Sequence, residues 1–428
     1  MLTPTLSRAL WLSLWLSLGL GFLACERLRM KPVKNEAGEI VKLAPLWSYP
    51  LHEQEPASNS IVVADLVFDQ KVLIATTHGP DQRALTCVDV QTGEPLWRWD
   101  DIYNPPYENF SALDAYIHDE TLVYLSGGRH YAINLLTGET AWKFLRDVPY
   151  HTSISGLGGS YFAHGRSRDT LSEYDFKVLY RGSVATGEMK LIVFPTFSQE
   201  FVAPGQRIGD VTGTTPFIYE GDTLLSIVYQ EPRPVYHWVS LLGLYNLSKK
   251  RWEYNGVHLN SPRNNGVLFH EPIIRGDRVY MNIGNQIFCR DLWTGARVWE
   301  RSFPRDLMFS GFIVEEGIVV ANCEDEVLYG LDAETGIQRW KGEGAGTSSQ
   351  LEGRYLNGIV YFSGGGTGRI HAIDCETGET VWRLDPGEIE KDAQDWKPDI
   401  YVVPGQNGEK GRVVACTPLN AYCFEAYR

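Results

Sequence analysis

One short pattern recurs along this chain and constrains its fold more than any other feature of the sequence. An apolar run is followed by Asp or Asn, two residues, Thr-Gly, three residues and Trp, as in HAIDCETGETVWRLD (371–385). An Asp side chain can accept hydrogen bonds from amides two residues on, and Gly supplies a positive φ, so the pattern predicts a strand, a tight turn and a second strand. Complete copies end at Trp97, Trp142, Trp299, Trp340 and Trp382.

The spacing of the copies predicts the architecture. Neighbouring tryptophans stand about 41 to 47 residues apart, a period typical of propeller blades in a sequence rich in strand-like runs. The longer interval between Trp142 and Trp299 contains two degenerate copies. One, at 179–193, has Leu191 in the tryptophan position, and the other, at 242–254, keeps Asn246 and Trp252 around a shortened turn.

The two ends of the array complement each other. Trp47 has no preceding copy of the turn, and the segment 413–428 has two predicted strands but no following Trp. An outer strand around Trp47 would complete the last blade, close the ring and protect the sheet edges. We therefore predict an all-β fold, a single eight-bladed β-propeller over 45–428, with seven blades as the alternative.

The repeated Asp-x-x-Thr-Gly-x-x-x-Trp pattern resembles that of the quinoprotein-type, or PQQ-like repeat, β-propeller family. The resemblance covers residues 45–428. It implies that the outer-strand tryptophans dock each blade against its neighbour, since a buried indole adds a large apolar area. The residues to which this structural role carries over are Trp47, Trp97, Trp142, Trp252, Trp299, Trp340 and Trp382. The blade with Leu191 departs from the pattern and is expected to pack more loosely.

The N-terminal segment has the anatomy of an export signal. After Arg8, residues 9–24 carry no charge and are too short for a comfortable membrane-spanning helix. The segment ends in Phe22-Leu23-Ala24-Cys25, which resembles a bacterial lipobox with Phe in place of the usual Leu. We expect a signal peptide at 1–24, lipidation of Cys25 and a lipid-anchored tether at 25–44. An uncleaved anchor or an ordinary secretory signal is the alternative.

The net charge and the spacing of the cysteines restrict the partners and metal sites that can be expected. The formal net charge is −14, which disfavours nucleic acid and anionic lipid surfaces. Past Cys25, six cysteines are scattered without a CxxC pair, so a zinc site is not expected. Cys416 and Cys423 flank a predicted hairpin and could face each other across two strands, which leaves a disulfide open.

Few residues in the sequence are candidates for binding a ligand or a metal. His78 and His164 fall at similar strand ends and could line one rim as a ligand or metal site; the alternative is two loop histidines. The acidic turn 324–326 lacks the spacing of a known calcium loop. The longest departures from the repeat, 194–207 and 229–237, are expected to be loops, where binding on a rigid ring usually resides.

The resemblance implies two functions of different kinds. The quinone-dependent dehydrogenases of this fold hold PQQ with calcium beside an adjacent-cysteine disulfide, and this sequence has no Cys-Cys pair. The chain also resembles the lipoprotein scaffold family of the outer-membrane β-barrel assembly machinery. We therefore expect a monomeric interaction scaffold without a cofactor, anchored in the bacterial envelope and binding envelope proteins. A quinone-dependent oxidoreductase, or a propeller that binds a small ligand or metal, is the alternative.

Overall fold

The structure is a computed structural model. It describes residues 43–52, 66–78, 82–102, 115–126, 129–145, 151–167, 176–192, 211–232, 238–259, 271–307, 311–343, 354–364, 368–391, 393, 395–397 and 400–428, with some strand-end side chains left out. The described residues form eight antiparallel sheets of four strands each. Each sheet is one blade, and in seven of them the four strands follow one another in sequence.

The first four blades use sixteen strands in chain order. Blade 1 contains β2 (Leu66–Phe68), β3 (Lys71–His78), β4 (Gln82–Asp89) and β5 (Pro95–Trp99). Blade 2 contains β6 (Ala115–His118), β7 (Thr121–Ser126), β8 (Arg129–Asn134) and β9 (Thr140–Phe144). Blade 3 contains β10 (His151–Leu157), β11 (Ser160–Ser167), β12 (Phe176–Ser183) and β13 (Met189–Leu191). Blade 4 contains β14 (Val211–Tyr219), β15 (Asp222–Pro232), β16 (Trp238–Asn246) and β17 (Arg251–Leu259).

The remaining blades complete the ring. Blade 5 contains β18 (Ile273–Arg275), β19 (Arg278–Ile283), β20 (Gln286–Asp291) and β21 (Arg297–Ser302). Blade 6 contains β22 (Phe312–Glu315), β23 (Ile318–Cys323), β24 (Val327–Asp332) and β25 (Gln338–Glu343). Blade 7 contains β26 (Tyr355–Leu356), β27 (Ile359–Ser363), β28 (Ile370–Asp374) and β29 (Thr380–Leu384), and a single-turn helix, α1 (Pro386–Ile389), follows it. Blade 8 contains β30 (Ile400–Val403), β31 (Arg412–Cys416) and β32 (Asn420–Glu425) together with β1 (Trp47–Pro50).

The N-terminal strand closes the ring. Strand β1 runs antiparallel to β32, with Trp47 opposite Cys423. The first strand of blade 1, β2, contacts β30 of blade 8 on one side and β6 of blade 2 on the other. The sequence-based prediction of an all-β, eight-bladed propeller closed around Trp47 is confirmed, and the seven-bladed alternative is wrong.

The hydrophobic core is divided among the blade interfaces. Eight clusters of buried side chains each combine residues from two consecutive blades, from blades 1 and 2 around to blades 8 and 1. A single four-stranded sheet has little to bury on its own, so packing against its neighbours supplies most of the apolar burial that stabilises it. The ring therefore depends on whatever orients one blade on the next.

The interval 229–237 differs in part from the loop expected there. Strand β15 continues to Pro232 and β16 begins at Trp238, and these two residues are register partners. Both long strands belong to one extended hairpin, in which Tyr229 is buried. The other expected loop, 194–207, lies outside the described residues. Within the described part of the chain, no helix has the length and apolar character needed to cross a membrane.

Candidate functional site

The repeated turn is held by its Asp and Thr side chains. In blade 1, Asp89 Oδ1 accepts hydrogen bonds from the amides of Gln91 and Thr92, both at 2.9 Å. Thr92 Oγ1 accepts from the amide of Glu94 at 3.2 Å, and the Gly93 amide donates to the Asp89 carbonyl at 2.8 Å. Gly93 has φ +77°, a conformation that favours glycine. The motif thus fixes the hairpin that joins the third and fourth strands.

The tryptophan of one blade lies against the turn glycine of the next. A Cβ placed on Gly378 would approach the Trp340 ring to 2.4 Å, so only glycine fits beneath the indole. The Trp340 indole N–H donates to the Cys375 carbonyl at 2.8 Å, three residues before that glycine. The same pair of contacts joins Trp47 to Gly93 and Val90, Trp97 to Gly138 and Leu135, Trp142 to Gly187 and Val184, and Trp299 to Gly336 and Ala333.

A β-bulge aims the outer-strand tryptophans of blades 1, 2, 5, 6 and 7, whereas Trp47 of blade 8 pairs with Cys423 without a register shift. In blade 6, Trp340 pairs with Gly330 while Gln338 pairs with the next residue, Leu331, which leaves Arg339 as the extra residue. The register shifts at the equivalent place in blades 1, 2, 5 and 7. A bulge bends its strand and redirects the neighbouring side chain. We call the outer-strand position eight residues after the motif Asp or Asn the docking position.

In blade 4, the docking position holds Tyr254 and not the predicted Trp252. Tyr254 pairs with Leu244, and its ring, with Val257, covers Gly295 of blade 5. Trp252 pairs with Tyr245 and packs in the cluster between blades 3 and 4, on the other side of the sheet. The turn of this blade lacks Thr-Gly, so the aromatic residue that follows it most closely is not the one at the docking position. Counting eight residues from Asn246 identifies Tyr254.

Blade 3 lacks the bulge and has no aromatic side chain in its outer strand. Lys190 pairs with Arg181 and Leu191 with Tyr180, without a register shift. Leu191 is 45% exposed, so it does not dock onto blade 4 as a tryptophan would. The contact between blades 3 and 4 is made by a buried cluster from both blades, with Leu157, Ile192 and Leu247 packed against it.

Trp382 of blade 7 packs between blades 7 and 8 but meets a different neighbour. It is 2% exposed and lies in the cluster that contains Phe424 and Ala426 of the last blade. Blade 8 has no Thr-Gly turn after β32. Among the described residues, the Trp382 indole N–H has no hydrogen-bond partner.

The two candidate histidines are not brought together. His164 lies within β11 of blade 3 and is buried; its Nε2 is 2.9 Å from Thr214 Oγ1, and its Nδ1 is 3.9 Å from Glu271 Oε1. His78 ends β3, two blades away, and its side chain lies outside the described part. His164 thus bridges blade 3 to the first strand of blade 4 and to the segment before blade 5.

The acidic turn and the cysteines are engaged in packing. Asp325 accepts a hydrogen bond from the Tyr329 hydroxyl at 2.6 Å. No group of three or more His, Cys, Asp or Glu side chains that could hold a metal occurs in the described ranges. Burial raises the pKa of the Cys87 and Cys423 thiols to about 12, so both are protonated at neutral pH.

The open disulfide question is answered by the register. Strand β31 pairs with β32 so that Cys416 is opposite Ala421 and Cys423 is opposite Val414. The two cysteines are therefore not cross-strand partners, and both are buried without a disulfide between them. Cys423 instead lies beside the carbonyl of Val90 in blade 1. Cys25 lies outside the described residues.

A cleft opens between blades 6 and 7 on the face that carries the motif turns. Its volume is about 390 Å³, and charged side chains of both signs line it. The Arg428 guanidinium donates to Asp374 Oδ2 at 2.7 Å, and Asn357 Nδ2 donates to the Arg428 carbonyl at 3.2 Å. Arg339 is paired with Asp332 at 2.6 Å. Both guanidinium groups that line the cleft are therefore already paired with carboxylates.

Comparisons with known proteins agree with a β-propeller built from these repeats. The family model for the outer membrane protein assembly factor BamB matches residues 36–162 and 248–384, together more than half of the chain. BamB from Moraxella catarrhalis is 11% identical with a TM-score of 0.55, over 90% of this chain and 100% of that one. A quinohemoprotein alcohol dehydrogenase from Comamonas testosteroni is 11% identical with a TM-score of 0.58, over 93% and 78%.

The structural likeness extends to a protein made by design. The computationally designed Ika8 protein is 12% identical with a TM-score of 0.59, over 88% of this chain and 99% of that one. Likeness at such identities establishes architecture alone. No curated protein matches the chain. Because the family model spans more than half of the sequence and the ring is built from PQQ-like repeats, the chain belongs to the family of the outer membrane protein assembly factor BamB.

Proposed function

We propose that this protein is a lipid-anchored interaction scaffold of the bacterial cell envelope that takes part in outer-membrane protein assembly. The observation that carries the proposal is the match of the BamB family model over more than half of the chain. The two matched ranges include four of the blades whose tryptophans dock onto a turn glycine, so the match rests on the same repeats that build the ring.

The roles of the buried and the exposed side chains in the ring support a scaffold function. The side chains of the repeated motif are used to join blades, and His164 and the cysteine thiols are engaged within the packing. Large apolar side chains remain exposed on the outside, among them Ile337 at 66% and Leu136 at 51%, both next to motif turns. A rigid ring that presents fixed side chains suits partner binding, because little conformational entropy is lost on association.

The domain organisation follows from the same proposal. Residues 1–24 would be removed as a signal peptide, Cys25 would carry the lipid, and 25–44 would connect the anchor to the propeller at 45–428. More than one acyl chain gives stable anchoring, at about 0.8 kcal/mol per buried methylene. The partners would be envelope proteins, and the propeller itself would be monomeric.

Chemical cross-linking in native membranes followed by affinity purification of the tagged full chain tests the scaffold. We expect recovery of outer-membrane assembly proteins with the wild type. The matched control is Cys25→Ala, which should lose membrane association and most of that recovery. A cross-linked set identical to that of an unrelated tagged lipoprotein would contradict the proposal.

A thermal-shift measurement on the fragment that begins at residue 26 distinguishes the scaffold from a quinone-dependent enzyme. The scaffold predicts that PQQ together with calcium leaves the melting temperature unchanged. A saturable rise in melting temperature with PQQ and calcium, but not with calcium alone, would favour a quinone-dependent enzyme and contradict the scaffold.

A further inference from the structure

An aromatic pair lies exposed where blades 4 and 5 meet on the face of the motif turns. Trp293 occupies the second position after Asp291 in the turn of blade 5, where other blades have Gln91, Leu136, Glu334 and Glu376. Its ring lies 4.3 Å from that of Tyr219 at the end of β14, centroid to centroid, with 49° between the planes. Tyr219 is 46% exposed and Trp293 is half-buried.

The inner side of this pair is anchored to the core. Phe217, two residues before Tyr219 on the same side of β14, packs edge-on against Trp293 with centroids 6.1 Å apart. Phe217 and Trp293 both pack against the apolar cluster between blades 4 and 5. Packing against the core therefore covers Phe217 and one face of the Trp293 indole. It leaves Tyr219 and the outer part of the indole facing solvent.

One carboxylate contacts the aromatic pair, and a second follows it in the sequence. Asp277 Oδ1 accepts a hydrogen bond from the Trp293 indole N–H at 2.7 Å, which fixes the ring. Glu220 follows Tyr219 directly and is exposed. Within the described ranges, neither Asp277 nor Glu220 has a basic side chain within ion-pairing distance. We call Tyr219, Trp293, Glu220 and Asp277 the aromatic–acidic site.

Three basic residues of blades 4 and 5 are already paired elsewhere. Arg278 lies 3.6 Å from Asp291 and 3.4 Å from Glu334. Lys249 lies 2.5 Å from Asp222. Arg275 is likewise paired with a glutamate of blade 6. The negative charge at the aromatic–acidic site is thus left for a cation from outside the described chain.

We propose that the aromatic–acidic site binds a basic side chain, above all the guanidinium of an arginine, presented by a partner protein. Aromatic faces attract cations, and a carboxylate beside them adds a charge-assisted hydrogen bond. A guanidinium suits the site better than an ammonium because it stacks on a ring while its edge donates to the carboxylate. The site is exposed, so this contact is weak alone and contributes to a larger interface.

This inference rests on the proposed function only in assigning the arginine to a partner protein. Small arginine derivatives test the site itself, whereas recovery of envelope proteins tests the scaffold. Failure of one experiment therefore leaves the other interpretable. A positive result with the small probe and no recovered proteins would retain the site and remove the scaffold.

The test uses the propeller from residue 26 labelled with 5-fluorotryptophan, and Trp293→Phe assigns the resonance of Trp293. Titration with N-acetyl-arginine amide should shift that resonance saturably, and N-acetyl-glutamine amide should not. Asp277→Asn retains an oxygen acceptor for the indole but removes the charge, so it should weaken binding about threefold to tenfold. Tyr219→Ala should weaken it to a similar degree, and Tyr219→Phe should retain it.

Asp222→Asn is the matched control, because the Asp222 carboxylate lies in the same hairpin but is paired with Lys249. It should leave the affinity unchanged. Equal shifts with the arginine and glutamine derivatives, or unchanged affinity in Asp277→Asn, would overturn the proposal. Circular dichroism and melting temperature identify any variant that is misfolded. If either Tyr219→Ala or Asp277→Asn is misfolded, the other variant still tests the site.

Discussion

Blades 5 and 6 solve the same packing problem as blades 3 and 4 in a different way. In blades 5 and 6, a bulged outer strand presents Trp299 or Trp340 to the turn glycine of the next blade, with an indole hydrogen bond to its backbone. In blade 3 the bulge and the aromatic residue are both missing, and in blade 4 Tyr254 replaces the tryptophan. The family model leaves 163–247 unmatched, which covers most of these two blades.

The contrast shows that the motif is one way, among others, to orient a blade. Where it is complete, one indole packs on the turn glycine of the next blade and adds its burial and a hydrogen bond to the apolar cluster at that interface. Where it is degenerate, apolar residues of several strands share that burial, as in the cluster of Phe162, Leu225 and Tyr229. Such a region tolerates the extended hairpin of β15 and β16.

The largest effect is expected from Trp340→Ala. Truncating a large, well-packed aromatic side chain costs about 3–5 kcal/mol of unfolding free energy. The matched control is Lys190→Ala in the outer strand of blade 3, where the side chain is 77% exposed; its cost should be within about 0.5 kcal/mol. Chemical denaturation measures both. Similar costs for the two variants would mean that the complete motif does not carry the blade interface.

Glycine substitutions separate backbone strain from packing beneath the indole. Gly378 and Gly317 share φ +74°, but a Cβ meets Trp340 only at Gly378, and nothing lies within 4 Å at Gly317. Gly317→Ala should cost about 1–2 kcal/mol through strain alone. Gly378→Ala should cost a further ~1–3 kcal/mol, because the added methyl overpacks the interface. Equal losses of stability in the two variants would rule out close packing at the motif glycine.

A double-mutant cycle tests the reassignment of the docking position in blade 4. Gly295→Ala should destabilise the wild type because a Cβ there meets Tyr254 and Val257. In a Tyr254→Ala background that penalty should fall, giving a coupling energy of about 1–2 kcal/mol. In a Trp252→Ala background, the penalty should be unchanged. Coupling of Gly295 to Trp252 and not to Tyr254 would restore the sequence-based assignment.

The smallest effect concerns acid stability of the complete motif. A hydrogen bond from Arg339 lowers the pKa of the Asp332 carboxyl to about 2, below its ordinary 3.8. The stabilisation is thus present above about pH 4 and is lost as the pH falls towards 2. Asp332→Asn should remove this contribution. Because the pair is partly exposed, the difference should be under about 1 kcal/mol, seen as a flatter acid limb of the unfolding free energy.

The control for acid stability is Arg339→Gln, which removes the main cause of the lowered pKa. It should shift the acid limb in the same direction as Asp332→Asn. The corresponding residues in blades 3 and 4 are Ser183 and Asn246, which carry no charge. An acid limb that is unchanged in both variants would show that the ion pair adds nothing to the blade.

Much of the fold could be predicted because the repeat has a fixed spacing. The count of blades and the closing strand around Trp47 follow from that period. Aromatic identity predicts Trp252 at the docking position of blade 4, whereas the eight-residue distance from Asn246 leads to Tyr254; Trp252 packs instead between blades 3 and 4. The bulge could not be predicted, since it is set by pairing with the neighbouring strand and leaves no residue type of its own in the extra position, which holds Leu96, Ala141 or Arg339.

Surface features depend on contacts that the sequence does not display. Tyr219 and Trp293 are far apart in the chain, and only the ring geometry brings their side chains together. His78 and His164 fall at similar points in two strand-like runs, yet the structure puts them in blades that are not adjacent. Local spacing predicted the blades well, whereas it could not predict which side chains from different blades meet.

The motif tryptophans hold the ring together, and we propose that partners bind elsewhere on the propeller. The most direct test compares melting temperature and cross-linked partner recovery on one protein, Trp340→Phe. The melting temperature should fall, because the buried carbonyl of Cys375 loses its donor at a cost of about 1–3 kcal/mol. Partner recovery well below that temperature should equal that of the wild type. An unchanged melting temperature together with lost partner recovery would contradict the claim.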